Sequence, residues 1–103
     1  MIDIAQNHLE IIKKILHKHV PDCEVRAFGS RVLHTAKSYS DLDLVLVGEK
    51  ELDQPSLNRL IEAFEESDIP FRVDLLDWNA ISDSFRAIIE KRYEVIQKQC
   101  NNN

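Results

Sequence analysis

Two segments of the chain repeat apolar residues with the period of an α-helix. Residues 4–20 place an apolar side chain every three or four positions, with charged residues between them, and Pro21 follows directly. Residues 57–64 repeat this spacing after Pro55, a position where helices commonly begin. The pattern predicts two amphipathic helices, with Asp3 as the N-cap of the first.

Shorter apolar runs separate these helices and predict strands. They cover residues 24–28, 42–47 and 71–76, and the second is almost continuous Leu and Val, as in a buried strand. A brief helix is expected over residues 31–36 and another after Ser82 or Asp83, while residues 93–96 either extend that last helix or form an edge strand. The resulting fold class is α/β (α+β), a small mixed β-sheet with helices packed on it. Residues 1–97 are expected to form a single domain, followed by a frayed polar tail at 98–103.

Composition and charge narrow the functional classes. The chain has 103 residues, of which 44% are apolar and 30% are charged, the balance of a globular domain. No apolar run reaches the roughly 20 residues that span a bilayer, and residues 1–9 lack the pattern of a signal peptide, so we expect a cytoplasmic protein without membrane contact. A formal net charge of -5 disfavours a broad nucleic-acid surface, although a local basic pocket is compatible with it.

Two aspartates open the most apolar strand. Asp41 and Asp43 are two residues apart, so on a strand their side chains point to the same face. Neighbouring carboxylates repel, and a divalent cation between them removes that conflict; Mg²⁺ suits such oxygen ligands. The alternative is that both residues flank a loop and that Asp41 caps a turn.

Two further features strengthen the cation hypothesis. A strand running into Gly29, Ser30 and Arg31 allows close backbone approach to a ligand and offers a hydroxyl, a backbone N–H and a guanidinium that can fork onto phosphate. Asp74 lies inside an apolar strand, where burying a carboxylate is costly without compensation. A shared metal would compensate it, and so would an ion pair with Arg26 or Arg72.

The order of these motifs resembles a known family. Gly29-Ser30, then Asp41-x-Asp43 on the following strand, then Asp74 on the next, is similar to the nucleotidyltransferase superfamily related to DNA polymerase beta. The short chain resembles its minimal nucleotidyltransferases (MNT), prokaryotic proteins paired with an all-helical HEPN-domain partner in toxin–antitoxin systems. The resemblance runs from about residue 25 to about residue 96, and the three-part motif is more specific than any of its parts.

The resemblance implies a role for each residue that matches. Gly29 and Ser30 would hold the nucleotide triphosphate, with Arg31 beside them on its phosphates. Asp41 and Asp43 would bind two Mg²⁺ ions, and Asp74 would bind one of them and help to activate the attacking hydroxyl. The implied reaction is transfer of AMP from ATP to a hydroxyl, expected to be a tyrosine of a HEPN-type toxin, so that the protein acts as the antitoxin in a hetero-oligomer.

One departure from the family pattern suggests a second hypothesis. The family often continues Gly-Ser-x-Ala-x-Gly, whereas this chain has Val32, Leu33 and His34. Larger side chains near the nucleotide favour, as the alternative, an inactive antitoxin that neutralises its HEPN partner by binding alone. A third hypothesis, transfer to an RNA 3′ end or a small antibiotic, is disfavoured for RNA by the acidic surface.

Three other residues are candidates for nucleotide contacts, and a fourth is a candidate for a structural role. His34, Tyr39 and Trp78 could reach a nucleotide. A solvated loop position is the stronger expectation for His34 and a lid on the small core for Trp78, while Tyr39 could equally be a packing residue. Asp77 precedes Trp78 and Asn79, and is predicted to serve as a turn or cap residue.

Overall fold

A computed structural model of the chain describes residues 2–33 and 40–99. The elements along this part of the chain are α1 (Gln6–His19), β1 (Glu24–Phe28), α2 (Ser30–Leu33), β2 (Leu42–Val47), α3 (Gln54–Glu65), β3 (Val73–Asp77), a 3₁₀-helix (Trp78–Ala80), α4 (Asp83–Lys91) and β4 (Glu94–Gln97). The predictions for His34 and Tyr39, the end of the predicted 31–36 helix and residues 100–103 of the predicted tail lie outside the described residues.

The strands form one mixed sheet in the order β3-β2-β1-β4. Strand β1 is antiparallel to both β2 and β4, while β2 and β3 are parallel and are joined by the crossover helix α3. This architecture confirms the predicted fold class. It also decides between the two predictions for residues 93–96, because β4 is an edge strand.

One face of the sheet carries the hydrophobic core. Helices α1 and α3 lie against it, and their inward-facing side chains interlock with alternate residues of β1 and β2 because successive strand residues point to opposite faces. Its fully buried members are Ile12, Leu16, Val25, Ala27, Leu42, Leu44, Leu46 and Leu60. The i, i+4 spacing of Ile12 and Leu16 is the helical period seen in the sequence.

The start of α1 differs from the prediction. The N-cap position is occupied by Ala5, which makes no side-chain capping bond. Asp3 instead donates its backbone N–H to the carbonyl of Arg31 (2.9 Å) and accepts, at its own carbonyl, a bond from Arg31 Nη1 (2.9 Å). These long-range bonds engage the backbone of Asp3 outside the helix, so α1 begins at Gln6. No helix within residues 2–33 and 40–99 has the length and apolar character needed to cross a membrane.

Candidate active site

The three sequence motifs meet at one end of the sheet. Phe28 at the end of β1 pairs with Asp43 at the start of β2, and Asp43 pairs with Asp74 at the start of β3. Because β1 is antiparallel to β2 and β2 is parallel to β3, the end of β1 and the starts of the two neighbouring strands share an edge. The topology therefore brings the Gly29–Ser30 turn and two of the aspartates together.

Gly29 allows the turn to lie directly against the Asp43 carboxylate. Its φ of +81° is in the left-handed region, which disfavours every residue with a Cβ. A Cβ built at Gly29 would also overlap the Asp43 carboxylate. Both requirements point to glycine at this position, and the second one links the turn to the acidic strand.

The electrostatics of Asp43 are those of a crowded acid. Partial burial is the main cause that raises its pKa, and the negative charges of Asp74 and then Asp41 raise the pKa further. Asp41 itself is exposed just before β2. The ionised form of Asp43 is therefore less stable in the protein than in water, and a nearby positive charge would stabilise it.

Asp74 has a partner that one of the sequence hypotheses named. Arg72 Nε lies 3.0 Å from Asp74 Oδ1, with 77% of the arginine side chain and 38% of the aspartate side chain exposed. An ion pair this exposed contributes about 0–1 kcal/mol, because water and salt screen it. The pair is therefore weak enough for Asp74 to exchange it for another cation.

The donor set is compatible with divalent cations. In the described part of the chain, no group of three or more His, Cys, Asp or Glu side chains is already arranged to hold a metal ion. The chemistry nevertheless fits, since Mg²⁺ prefers carboxylate oxygens and the ionised form of Asp43 is destabilised by burial and then by the charges of Asp74 and Asp41. Asp41, which is exposed, and Asp74, which is held by a weak pair, are the side chains that would need to turn toward a shared ion.

The Arg31 side chain is buried and makes its described contacts within the protein. It is 6% exposed, and its guanidinium donates to the carbonyl of Ser40 from Nε (3.1 Å) and Nη2 (2.8 Å), and to that of Asp3. The guanidinium also lies 4.1 Å from the centre of the Phe71 ring. These contacts give Arg31 a structural role, because three of its N–H groups bond to backbone oxygens, and its contact with a phosphate stays a prediction.

Val32 and Leu33, which follow the Gly29–Ser30 turn, lie in different environments. Val32 is 3% exposed and packs in the core beneath the sheet, so its extra volume is directed away from solvent. Leu33 is 49% exposed. The departure from the family pattern at Val32 is thus absorbed by the core.

Side chains of α4 and the 3₁₀-helix contact the face of the sheet opposite the core, where Arg26 and Phe28 of β1 point. The Phe28 and Phe85 rings meet edge to face with centroids 6.0 Å apart. Arg26, which sequence reasoning considered only as a partner for Asp74, lies between the rings of Trp78 (5.0 Å) and Tyr93 (4.5 Å) and pairs with Glu24. The charged residues Glu24 and Arg26, at alternate positions of a strand whose other residues are apolar, were the signal that could have found this cluster.

Asp77 confirms its predicted capping role and adds a second contact. Its carboxylate accepts a bond from the N–H of Asn79 (3.0 Å) at the 3₁₀-helix, as the sequence predicted. It also accepts a bond from the N–H of Leu52 (2.7 Å), 25 residues away, which no local pattern indicated. Asp77 is 8% exposed and serves to join two loops.

The sequence is similar to those of known proteins. The family model for the nucleotidyltransferase domain matches residues 9–97. The probable protein adenylyltransferase MntA of Haemophilus influenzae is 55% identical over 98 residues, which cover 95% of this chain and 86% of that protein.

Solved structures agree at the level of the fold. A crystal structure of a toxin–antitoxin with AMP-PNP matches with a TM-score of 0.75 and 22% identity, covering 89% of this chain and 74% of that chain. A tri-AMPylated Shewanella oneidensis HEPN toxin in complex with MNT antitoxin matches with a TM-score of 0.70 and 22% identity, covering 91% and 72%. Since the domain match spans most of the chain and the curated relative is more than half identical across nearly all of it, the chain belongs to the nucleotidyltransferase family, as a minimal nucleotidyltransferase.

Proposed function

We propose that the protein transfers AMP from ATP to a hydroxyl of a HEPN-type toxin, expected to be a tyrosine, and acts as its antitoxin. The observation that carries the proposal is the contact between the Gly29 turn and Asp43, a carboxylate whose pKa is raised by burial and by two neighbouring acids. The name of the Haemophilus influenzae relative and the toxin–antitoxin structures that share the fold support the same reaction and the same class of partner.

The aspartates and the glycine–serine turn have separate roles: the aspartates bind the metal ions, and the turn binds the triphosphate. Asp41, Asp43 and Asp74 would hold two Mg²⁺ ions. When bound, the ions stabilise charge on the attacking and leaving oxygens and lower the pKa of the attacking hydroxyl. The turn at Gly29 and Ser30 receives the triphosphate, because the glycine lets the backbone approach closely and Ser30 contributes a hydroxyl and a backbone N–H.

The transfer step is an in-line displacement at the α-phosphorus. The acceptor oxygen forms a bond to phosphorus as the bond to the bridging oxygen breaks, so pyrophosphate leaves with that electron pair. Asp74 helps to take the hydroxyl proton, which passes on to water. Its half-exposed position at the start of an edge strand suits this role, since an acceptor can approach from outside the sheet.

A groove beside Asp74 offers room for an acceptor side chain. It lies between α3 and β3, has a volume of about 660 Å³, and its lining includes Ile61, Phe64, Phe71, Arg72 and Asp74. Ligand sites commonly measure roughly 300–1,000 Å³, and in this groove apolar side chains share the lining with the charged Glu65, Arg72 and Asp74. The groove therefore fits an aromatic acceptor whose hydroxyl is directed to Asp74.

Label transfer tests the proposal directly. The protein is incubated with its gene neighbour, Mg²⁺ and ATP that is labelled at either the α- or the γ-phosphorus. We expect label on the neighbour from α-labelled ATP alone and none with EDTA. Peptide mapping should locate the modification on a tyrosine. Asp22→Asn, an exposed aspartate at the far end of β1, is the matched control and should transfer normally. Transfer of the γ-label, or no transfer with Mg²⁺, contradicts the proposal.

Neutralisation without catalysis is the alternative that the same pair of proteins can test. The double variant Asp41→Asn plus Asp43→Asn is expressed with the partner in cells, at the same level as the wild type. We expect it to leave the partner toxic. Full protection by this variant would instead support an antitoxin that acts by binding alone.

A further inference from the structure

Arg31 connects the two strand ends that carry the acidic residues. Its guanidinium donates twice to the carbonyl of Ser40 and once to that of Asp3, and it stacks on Phe71. Ser40 directly precedes Asp41. Phe71 precedes Arg72, whose carbonyl accepts a bond from the N–H of Leu42 at the start of β2.

Two N–H groups of Arg31 bond to the carbonyl oxygen of Ser40 and so fix the peptide group between Ser40 and Asp41. The acceptor is the oxygen of the Ser40–Asp41 peptide bond, so two donors from one planar group hold the orientation of that plane. Asp41 is exposed and lies outside β2, so no strand ladder fixes its backbone. The contact with Arg31 supplies that restraint.

We propose that Arg31 is a positioning residue of the site, which sets the affinity for the metal through the Ser40–Asp41 peptide and does not contact the triphosphate. The inference rests on the proposed function, in that it takes Asp41 as a metal ligand. Arg31 is 6% exposed and three of its N–H directions end on backbone oxygens, which leaves it poorly placed for a phosphate in solution. Lysine cannot replace it, because an ammonium has the charge without the planar fork.

Metal binding measured apart from catalysis tests this role. Mn²⁺ binding is titrated by electron paramagnetic resonance without nucleotide, and ATP binding is titrated in EDTA. We expect Arg31→Lys to bind Mn²⁺ about 10- to 100-fold more weakly, the usual effect of removing a group that orients a ligand. We expect its ATP affinity in EDTA to stay within twofold of wild type. The matched control is Arg59→Lys, since Arg59 is exposed on α3 and bonds only locally to Ser56 among described residues.

A second variant covers the case in which Arg31→Lys does not fold. Phe71→Leu removes the stacking surface and leaves the guanidinium bonds, so Mn²⁺ affinity should fall in the same direction by less. Weaker ATP binding in EDTA with normal Mn²⁺ binding would assign Arg31 to the phosphates and overturn the inference. Normal values for both, or a wild type without Mn²⁺ binding, would overturn it as well. Loss of label transfer alone, with the Mn²⁺ differences intact, would contradict only the proposed function.

Discussion

The parallel strands β2 and β3 carry acidic residues at both ends, and the two ends satisfy them differently. At the far end Leu46 pairs with Asp77, whose buried carboxylate accepts bonds from the N–H groups of Leu52 and Asn79. At the near end Asp43 pairs with Asp74, and the pKa of Asp43 is raised by burial and by like charge.

The difference distinguishes Asp77, which stabilises the fold, from Asp43, which a bound cation would stabilise. Two hydrogen bonds to charged oxygen compensate the burial of Asp77, each contributing roughly 1.5–3 kcal/mol. Burial and the charges of Asp74 and Asp41 all raise the pKa of Asp43, and among the described residues no cause acts in the opposite direction. The ionised carboxylate therefore destabilises the folded protein when no cation is bound. A cation that binds there would remove this cost, which is why we place the reaction at the near end.

Removing the satisfied acid should have the largest effect on stability. Asp77→Ala leaves two part-buried N–H groups, those of Leu52 and Asn79, without their acceptor, and we expect the free energy of unfolding to fall by about 2–4 kcal/mol. Urea denaturation at pH 7 measures it. Asp53→Ala is the matched control, because Asp53 accepts a bond from the N–H of Ser56 at an exposed helix start, so its loss should cost less than the loss of Asp77. Equal losses in the two variants would remove the distinction between the ends.

Gly29→Ala should affect both stability and transfer. The alanine needs a left-handed backbone, which costs about 1–2 kcal/mol, and its methyl group displaces the Asp43 carboxylate. We expect a lower free energy of unfolding and loss of label transfer in the folded fraction. Gly48→Ala is the control, since Gly48 lacks a positive φ and its added Cβ would meet only Cys23 Sγ (3.2 Å) and a more distant carbonyl oxygen. Retained transfer in Gly29→Ala would show that Asp43 does not depend on the turn.

Neutralising Asp43 should have the smallest effect on stability, and it should be favourable. Because its pKa is raised in the folded state, the wild type loses stability as pH rises above the unfolded value of about 3.9 and through the raised pKa. Asp43→Asn has no such charge. In EDTA we therefore expect it to match the wild type near pH 3.5 and to be the more stable protein at pH 7. A variant that is less stable at pH 7 would contradict the assignment of Asp43 as an uncompensated acid.

Local patterns predicted the architecture because each element is amphipathic by itself. Local features indicate the secondary structure: the helical period of Ile12 and Leu16 in α1, the apolar run of β2 and the cap at Ser82 before α4. Tertiary packing preserves these elements. The site motif was also visible, because Asp41 and Asp43 stand two residues apart where β2 begins and Asp74 interrupts another apolar strand. Family resemblance, more than periodicity, linked these residues to nucleotidyl transfer.

Contacts between distant segments could not be predicted in the same way. Asp3 looked like a helix cap, but its backbone bonds to Arg31, 28 residues away. Arg31 looked like a phosphate ligand because of its place after Gly29-Ser30, and its direction depends on Ser40 and Phe71, which only the fold brings near. Charge and spacing identify what a side chain can bind, whereas its orientation is a tertiary property.

Transfer of α-labelled AMP by wild type, Asp43→Asn and Asp77→Asn is the most direct test of the central claim. The three proteins are compared at equal folded fraction, with Mg²⁺ and the gene neighbour present. We expect Asp77→Asn, which keeps a carbonyl acceptor, to label the neighbour at a rate within about threefold of wild type. Asp43→Asn should be about a thousandfold slower, because metal ions contribute several kcal/mol to such steps. Wild-type transfer by Asp43→Asn, or equal loss in both variants, would contradict the claim that the acids at the two ends have different roles.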